Sequence, residues 1–129
     1  MLPGLNIREA HFPGRAPIDA YGEGGFRFAD MSHRGAILCL PSGIHGWKPA
    51  DPGRLTLADF APVLAEAADI GVLLIGTGPD IRPLPRELRA AFKEAGIVAD
   101  PMSTGAAVRT FNVLLAEDRL VAAALLPVD

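Results

Sequence analysis

Val72-Leu-Leu-Ile75 is an unbroken apolar run with glycine at each end, Gly71 and Gly76. A run this short crosses a sheet as a buried strand and cannot make a helix of its own. Apolar residues at helical spacing lie on both sides of it. A strand between two helices needs its partners beside it in one sheet, with the helices stacked on the faces. That feature confines the chain to the α/β class.

The helix before the run is expected within residues 56–69, where Phe60, Val63, Leu64 and Ala67 share one face. Two starts compete. Thr56-x-x-Asp59 has the form of a capping box, but Pro62 would then fall beyond the first turn. Asp59 as N-cap removes that conflict. Gly71 is expected to close the helix as a left-handed cap. The helix after the run is expected over residues 86–95, with Leu88, Ala91, Phe92 and Ala95 on one face. Pro85 suits its first turn and Gly96 its C-cap. Residues 97–99 then form a second short parallel strand, completing a right-handed β-α-β unit.

Asp100-Pro-Met-Ser-Thr-Gly105 leads into a third helix capped by Ser103 or Thr104, with Ala107, Val108 and Phe111 as its stripe. Beyond Asn112 two readings stand. The helix continues to Ala116, or residues 113–116 are a strand that turns at Glu117-Asp118 and pairs with residues 119–126. Thr110-Phe-Asn-Val is poor helix sequence, and a polar turn between apolar runs marks a hairpin, so the second reading is preferred. Upstream, Phe26-Arg-Phe28 and Ala36-Ile-Leu-Cys-Leu40 read as strands, Ser32-His-Arg-Gly35 as a turn, and Ser42-Gly-Ile-His-Gly-Trp47 as a hairpin partner. Residues 1–25, broken by Pro3-Gly4, Pro13-Gly14 and Gly22-Glu-Gly-Gly25, read as an irregular arm. Ile7, Phe12, Ile18 and Tyr21 pack it onto a single domain of residues 26–129. The fold class is α/β, a three-layer sandwich with a mixed central sheet flanked by helices.

Composition excludes several functions. The 12 basic and 15 acidic residues leave a net charge of −3 with no Lys/Arg block, so nucleic-acid binding is not expected. Cys39 is the only cysteine, which rules out an intrachain disulfide. No apolar run approaches the roughly 20 residues of a membrane span, and the start lacks the form of a secretory signal. The chain reads as soluble and cytoplasmic.

Two loops leave strands and enter helices, Gly76-Thr-Gly-Pro-Asp80 and Asp100-Pro-Met-Ser-Thr-Gly105. In a parallel sheet both lie at carboxyl ends, where α/β proteins form crevices and helix N-termini favour anions. The ligand-binding candidates are Gly76, Thr77, Gly78, Arg82, Ser103, Thr104 and Arg109, with Arg86 near enough to add charge. The same residues also serve as turn glycines and helix caps, and Gly76-Thr-Gly78 is neither a Walker loop nor a full dinucleotide fingerprint. No catalytic residue, metal or cofactor is expected. Cys39 sits inside an apolar strand, Ser42 and His45 lack a nucleophile elbow, and His11, His33 and His45 lack metal-ligand spacing. Trp47 is either a core aromatic or an anchor that faces a protein partner.

The ordered series Tyr21-Gly-x-Gly-Gly-Phe26, Ser42-Gly-x-x-x-Trp47, Leu-Ile-Gly-Thr-Gly78, Thr104-Gly-Ala-Ala-x-Arg-Thr-Phe-Asn112 and Glu117-x-Arg-x-Val-Ala-Ala-Ala-Leu-Leu-Pro127 resembles the domain-of-unknown-function 498 family. That family takes in bacterial and archaeal proteins and the mitochondrial complex I assembly factor 3 proteins. The resemblance covers residues 21–127 and implies a three-layer α/β fold with a mixed sheet. For the mitochondrial members it implies help in assembling NADH:ubiquinone oxidoreductase by binding assembly intermediates. It supplies no catalytic residues. Without an evident mitochondrial presequence the chain resembles a prokaryotic member. The role it implies is a protein-interaction module; a small-molecule or anion-binding domain, or an enzyme, at the two loops is the alternative.

Overall fold

A computed structural model describes residues 11–129 of the chain. The expectations on residues 1–10, including Ile7, lie outside the described residues. The central sheet is built from β1 (His11–Phe12), β5 (Ala36–Leu40), β6 (Gly43–Trp47), β7 (Val72–Gly76), β8 (Val98–Met102) and β9 (Val121–Leu125), in the order β1-β6-β5-β9-β7-β8. β7 runs parallel to β8 and to β9, whereas β5 is antiparallel to β6 and to β9. The sheet is therefore mixed. A smaller antiparallel sheet joins β2 (Ala20–Gly22), β3 (Gly25–Phe28) and β4 (Met31–Arg34).

Strand alternation divides the core between two faces of the central sheet. On one face Leu38, Leu73, Ile75, Ala122 and Ala124 pack under Phe60, Val63, Leu88 and Phe92. These come from a 3-10 turn (Leu57–Phe60) and the helices α1 (Ala61–Ala65) and α2 (Arg86–Glu94). On the other face Ile37, Cys39, Leu74, Ala123 and Leu125 pack against Ala107, Val108 and Phe111 of α3 (Thr104–Ala116) and Phe26 and Phe28 of the small sheet. The three layers are the first helices, the central sheet, and α3 with the small sheet.

The C-terminal hairpin is corrected. Residues 113–116 are the last turn of α3, and β9 pairs with β5 and β7 instead. Glu117-Asp118 is a helix cap. Asp118 takes φ 63°, its N–H donates to the Leu115 carbonyl, and the Arg119 N–H donates to Leu114 at 3.0 Å, which is a Schellman closure. The polar pair that marks a hairpin turn marks this cap equally well. Asn112 stays helical through a long-range pair of bonds. Its carboxamide accepts from the Ile18 N–H and donates to the Ile18 carbonyl, both at 2.9 Å. That contact ties the N-terminal segment to α3 and outweighs the low helix propensity of Asn.

Other boundaries shift for similar reasons. Of the two starts, the capping box holds and Asp59 is not an N-cap: Thr56 is the N-cap of the 3-10 turn, and Asp59, its N3 residue, accepts from the Thr56 N–H at 2.8 Å. A new helix then starts at Ala61, which leaves Pro62 in a first turn where it is tolerated. Gly71 is not a left-handed cap, since the helical segment ends at Asp69 and Ile70 is extended. Gly96 does take a left-handed φ, 81°, in the Schellman closure of α2. The arm is not wholly irregular, because β1 pairs with β6 and β2 with β3. The boundary drawn at residue 25 falls within the small sheet.

Residues 32–35 are not a turn either. Met31–Arg34 is β4, and the chain reverses one step earlier at Ala29-Asp30, whose φ values of 48° and 61° make a two-residue primed turn. Ala carries a steric penalty there that Asn largely avoids. Ala29→Asn is expected to stabilise the fold by about 0.5–1 kcal/mol. A lower urea midpoint for this variant would contradict the turn assignment.

Candidate functional site

The two glycine loops do converge at the carboxyl ends of β7 and β8, but their hydroxyl groups are spent on each other. Thr104 is fully buried at the start of α3. Its Oγ1 donates to the Leu126 carbonyl at 2.7 Å and accepts from the Gly78 N–H at 3.0 Å, while its own N–H donates to Gly78. One side chain thus joins three segments that are far apart in sequence. Thr77 is 5 % exposed. Its Oγ1 lies 2.7 Å from the Asp80 carbonyl and accepts from the Arg82 N–H at 3.0 Å, which shapes the loop that follows β7. Ser103 caps α3 by accepting from the Ala106 N–H. Gly76 ends β7, and its carbonyl accepts from the Leu126 N–H at 2.9 Å.

Stitched in this way, the carboxyl end carries two hollows rather than one crevice. The larger, about 410 Å³, is an open depression between Gly78, Ser103, Gly105, Arg109 and Tyr21. The smaller, about 130 Å³, lies between the 52–55 and 82–85 loops and includes Thr77 and Arg82. Arg82 and Arg109, both ligand-binding candidates, therefore line different hollows. Tyr21 is the residue that sequence reading leaves out of the larger hollow. It lies so close over the first turn of α3 that a Cβ at position 105 would collide with its phenol oxygen. A glycine inside a helical first turn, where it costs about 1 kcal/mol relative to Ala, was the available signal of that approach.

Ser42 and His45 do meet, with Oγ 3.0 Å from Nε2. The arrangement is nonetheless reversed relative to a nucleophilic serine. The Ser42 hydroxyl donates to Glu66 Oε2 at 2.6 Å, and its backbone N–H donates to Oε1 at 2.9 Å. With the single hydroxyl proton committed to the carboxylate, the imidazole donates to Oγ instead of accepting from it. Glu66 holds the β5–β6 turn against the end of α1. Of the two readings of Trp47, core aromatic and partner-facing anchor, the structure has the first. The residue is 6 % exposed, its indole N–H donates to the Asp59 carbonyl at 2.8 Å, and its ring packs on Phe60. Among the described residues no group of three His, Cys, Asp or Glu side chains could hold a metal ion.

Cys39 is fully buried in β5, and desolvation pushes its thiol well above the ordinary range. The sign of the resulting linkage follows directly. The unfolded chain loses the thiol proton first, so this group's contribution is intact below about pH 8 and is lost as pH rises. Stability is expected to fall by about 1.4 kcal/mol per pH unit above roughly pH 9, and Cys39→Ala should remove that part of the slope. Equal slopes for the two chains in denaturation at pH 8–10 would contradict it.

A mixed sheet between a two-helix layer and a layer of one helix plus a small sheet, with a stitched carboxyl end, defines a specific α/β architecture. The chain belongs to the family described as protein of unknown function DUF498/DUF598, whose model matches residues 18–126. An uncharacterized protein of Rhodobacter capsulatus is 43% identical, a match covering 93% of this chain and 91% of that one. NADH dehydrogenase [ubiquinone] 1 alpha subcomplex assembly factor 3 of Mus musculus is 27% identical, over 95% of this chain and 66% of its own length. The chain thus spans just under two thirds of that mammalian relative. The crystal structure of a Bartonella henselae protein, described as an outer membrane protein, is 64% identical and superposes with a TM-score of 0.88. That likeness covers 92% of this chain and 100% of the other. Among the described residues of this chain, no helix is long and apolar enough to cross a membrane.

Proposed function

We propose that this chain is a non-catalytic protein-interaction module that assists assembly of respiratory complex I, the NADH:ubiquinone oxidoreductase. The observation that carries the proposal is the match of nearly the whole described chain to the mouse assembly factor. The side-chain geometry supports it. The hydroxyls at the two loops act as structural bonds, the one serine–histidine contact runs in the wrong direction for attack, and the cysteine is sealed in the core. The surface, by contrast, offers large apolar side chains, with Ile81, Val98, Val113 and Leu120 each more than half exposed. In this reading the described residues, 11–129, act as one unit in the cytoplasm.

Affinity capture of the tagged chain from its native host tests the proposal. Enrichment of subunits of the NADH-oxidising respiratory complex over a tagged control is expected. Their absence, with the chain folded and expressed at its native level, would overturn it.

A further inference from the structure

The smaller hollow is built differently from the depression at Arg109. Leu84 and Leu126, both buried, form its floor, and Leu55 lines one wall. Two guanidinium side chains, Arg54 and Arg82, share its lining. Thr77 accepts from the Arg82 backbone N–H and so sets where that side chain departs. A Cβ at Gly53 would lie 3.4 Å from Asp51 Oδ1 and 3.5 Å from an Arg82 terminal nitrogen, which places the Arg82 guanidinium beside the 51–53 turn. Neither arginine is in an ion pair among the described residues. The acid on that loop, Asp51, accepts from the Gly53 N–H at 2.9 Å.

Size narrows the occupant. About 130 Å³ is well below the roughly 300–1,000 Å³ of sites for drug-sized ligands or cofactors. It is close to the roughly 150 Å³ that admits a benzene ring in an engineered cavity. The apolar floor therefore takes a body of about six heavy atoms. The two arginines favour an anion at one end of it, and a carboxylate, which pairs two-on-two with a guanidinium, is the anionic group that a short aliphatic body most simply carries.

From this combination we infer that the hollow binds a carboxylate carrying a short aliphatic body. The inference is independent of the assembly role. The chemistry has two sources, a free short-chain acid or the C-terminal apolar residue of another protein chain.

Titration of the full chain, followed by amide and methyl NMR, tests the inference with hexanoate, hexanol and hexylamine. Hexanoate is expected to bind with a dissociation constant on the order of 1 mM, shifting Thr77, Leu84 and Leu126. Hexanol and hexylamine should bind at least about tenfold more weakly. The double variant Arg54→Gln/Arg82→Gln, whose changes are both on the surface, should lose about tenfold in hexanoate affinity while keeping its spectral dispersion. Acetyl-Ala-Leu as free acid and as amide separates the sources. An acid form tighter than hexanoate assigns the site to a chain terminus, and a weaker one assigns it to a free acid. Equal binding of hexanol and hexanoate, unchanged affinity in the double variant, or no shifts in this hollow would each overturn the inference.

Discussion

Thr104→Val is expected to destabilise the chain by about 2–4 kcal/mol, whereas Thr104→Ser should cost about 1 kcal/mol. Valine has nearly the same shape, so cavity formation contributes little. The loss comes from hydrogen bonding. Without the hydroxyl, the Gly78 N–H and the Leu126 carbonyl lose their bonds to Thr104 in a site that excludes water. Each such group costs about 1–3 kcal/mol when left unpaired, which exceeds the modest net value of a made bond. Serine keeps both bonds and removes one buried methyl. For a chain of this size the valine variant should melt roughly 6–16 °C lower. Equal melting temperatures for the Val and Ser variants would contradict the assignment of Thr104 as the bond linking the two loops to the C-terminal segment.

Phe60→Ala is expected to cost about 3–5 kcal/mol, the range for removing a buried aromatic. Phe60 is fully buried at the end of the 3-10 turn. Its ring centroid lies 5.3 Å from that of Trp47 and 5.2 Å from that of Phe92, the second contact being edge-on. It therefore links β6 to α2 through the helical layer. Neighbouring groups are anchored by other bonds, Trp47 through its indole N–H, so the space cannot close by simple collapse. Trp47 fluorescence should report the same event in native buffer, as the ring loses its packing partner. A loss under about 1 kcal/mol in urea denaturation would mean that the first helical layer contributes little to the core.

The parts of the fold legible in the sequence are those dictated by apolar patterning. The Val72–Gly76 and Ala36–Leu40 strands, the face of α2 and its glycine closure all follow from local residue order. The failures occur where a distant contact decides. Asn112 is helical because it pairs with Ile18, and Ala29 and Asp30 adopt left-handed backbone without glycine. The mixed sheet was expected for a partly wrong reason. Its antiparallel part comes from the local β5–β6 hairpin, which the sequence order does indicate, and from β9 lying against β5 in place of the expected C-terminal hairpin. At the candidate site the loops were readable, but the destinations of their hydroxyls were not. Thr77 and Thr104 look equally suited to binding a ligand or a neighbouring carbonyl until the partners at Asp80 and Leu126 are in place. Arg54 and Leu55 enter the smaller hollow from a loop that no pattern links to Arg82.

The most direct test of the assembly role is the amount of full-size NADH:ubiquinone oxidoreductase in a host strain lacking this chain, measured by native gel electrophoresis with an NADH-oxidation stain. The proposed role predicts a marked loss of the full-size complex, accumulation of its subunits in smaller assemblies, and recovery when the chain is resupplied. An unchanged amount of intact, active complex in the deletion strain would contradict it.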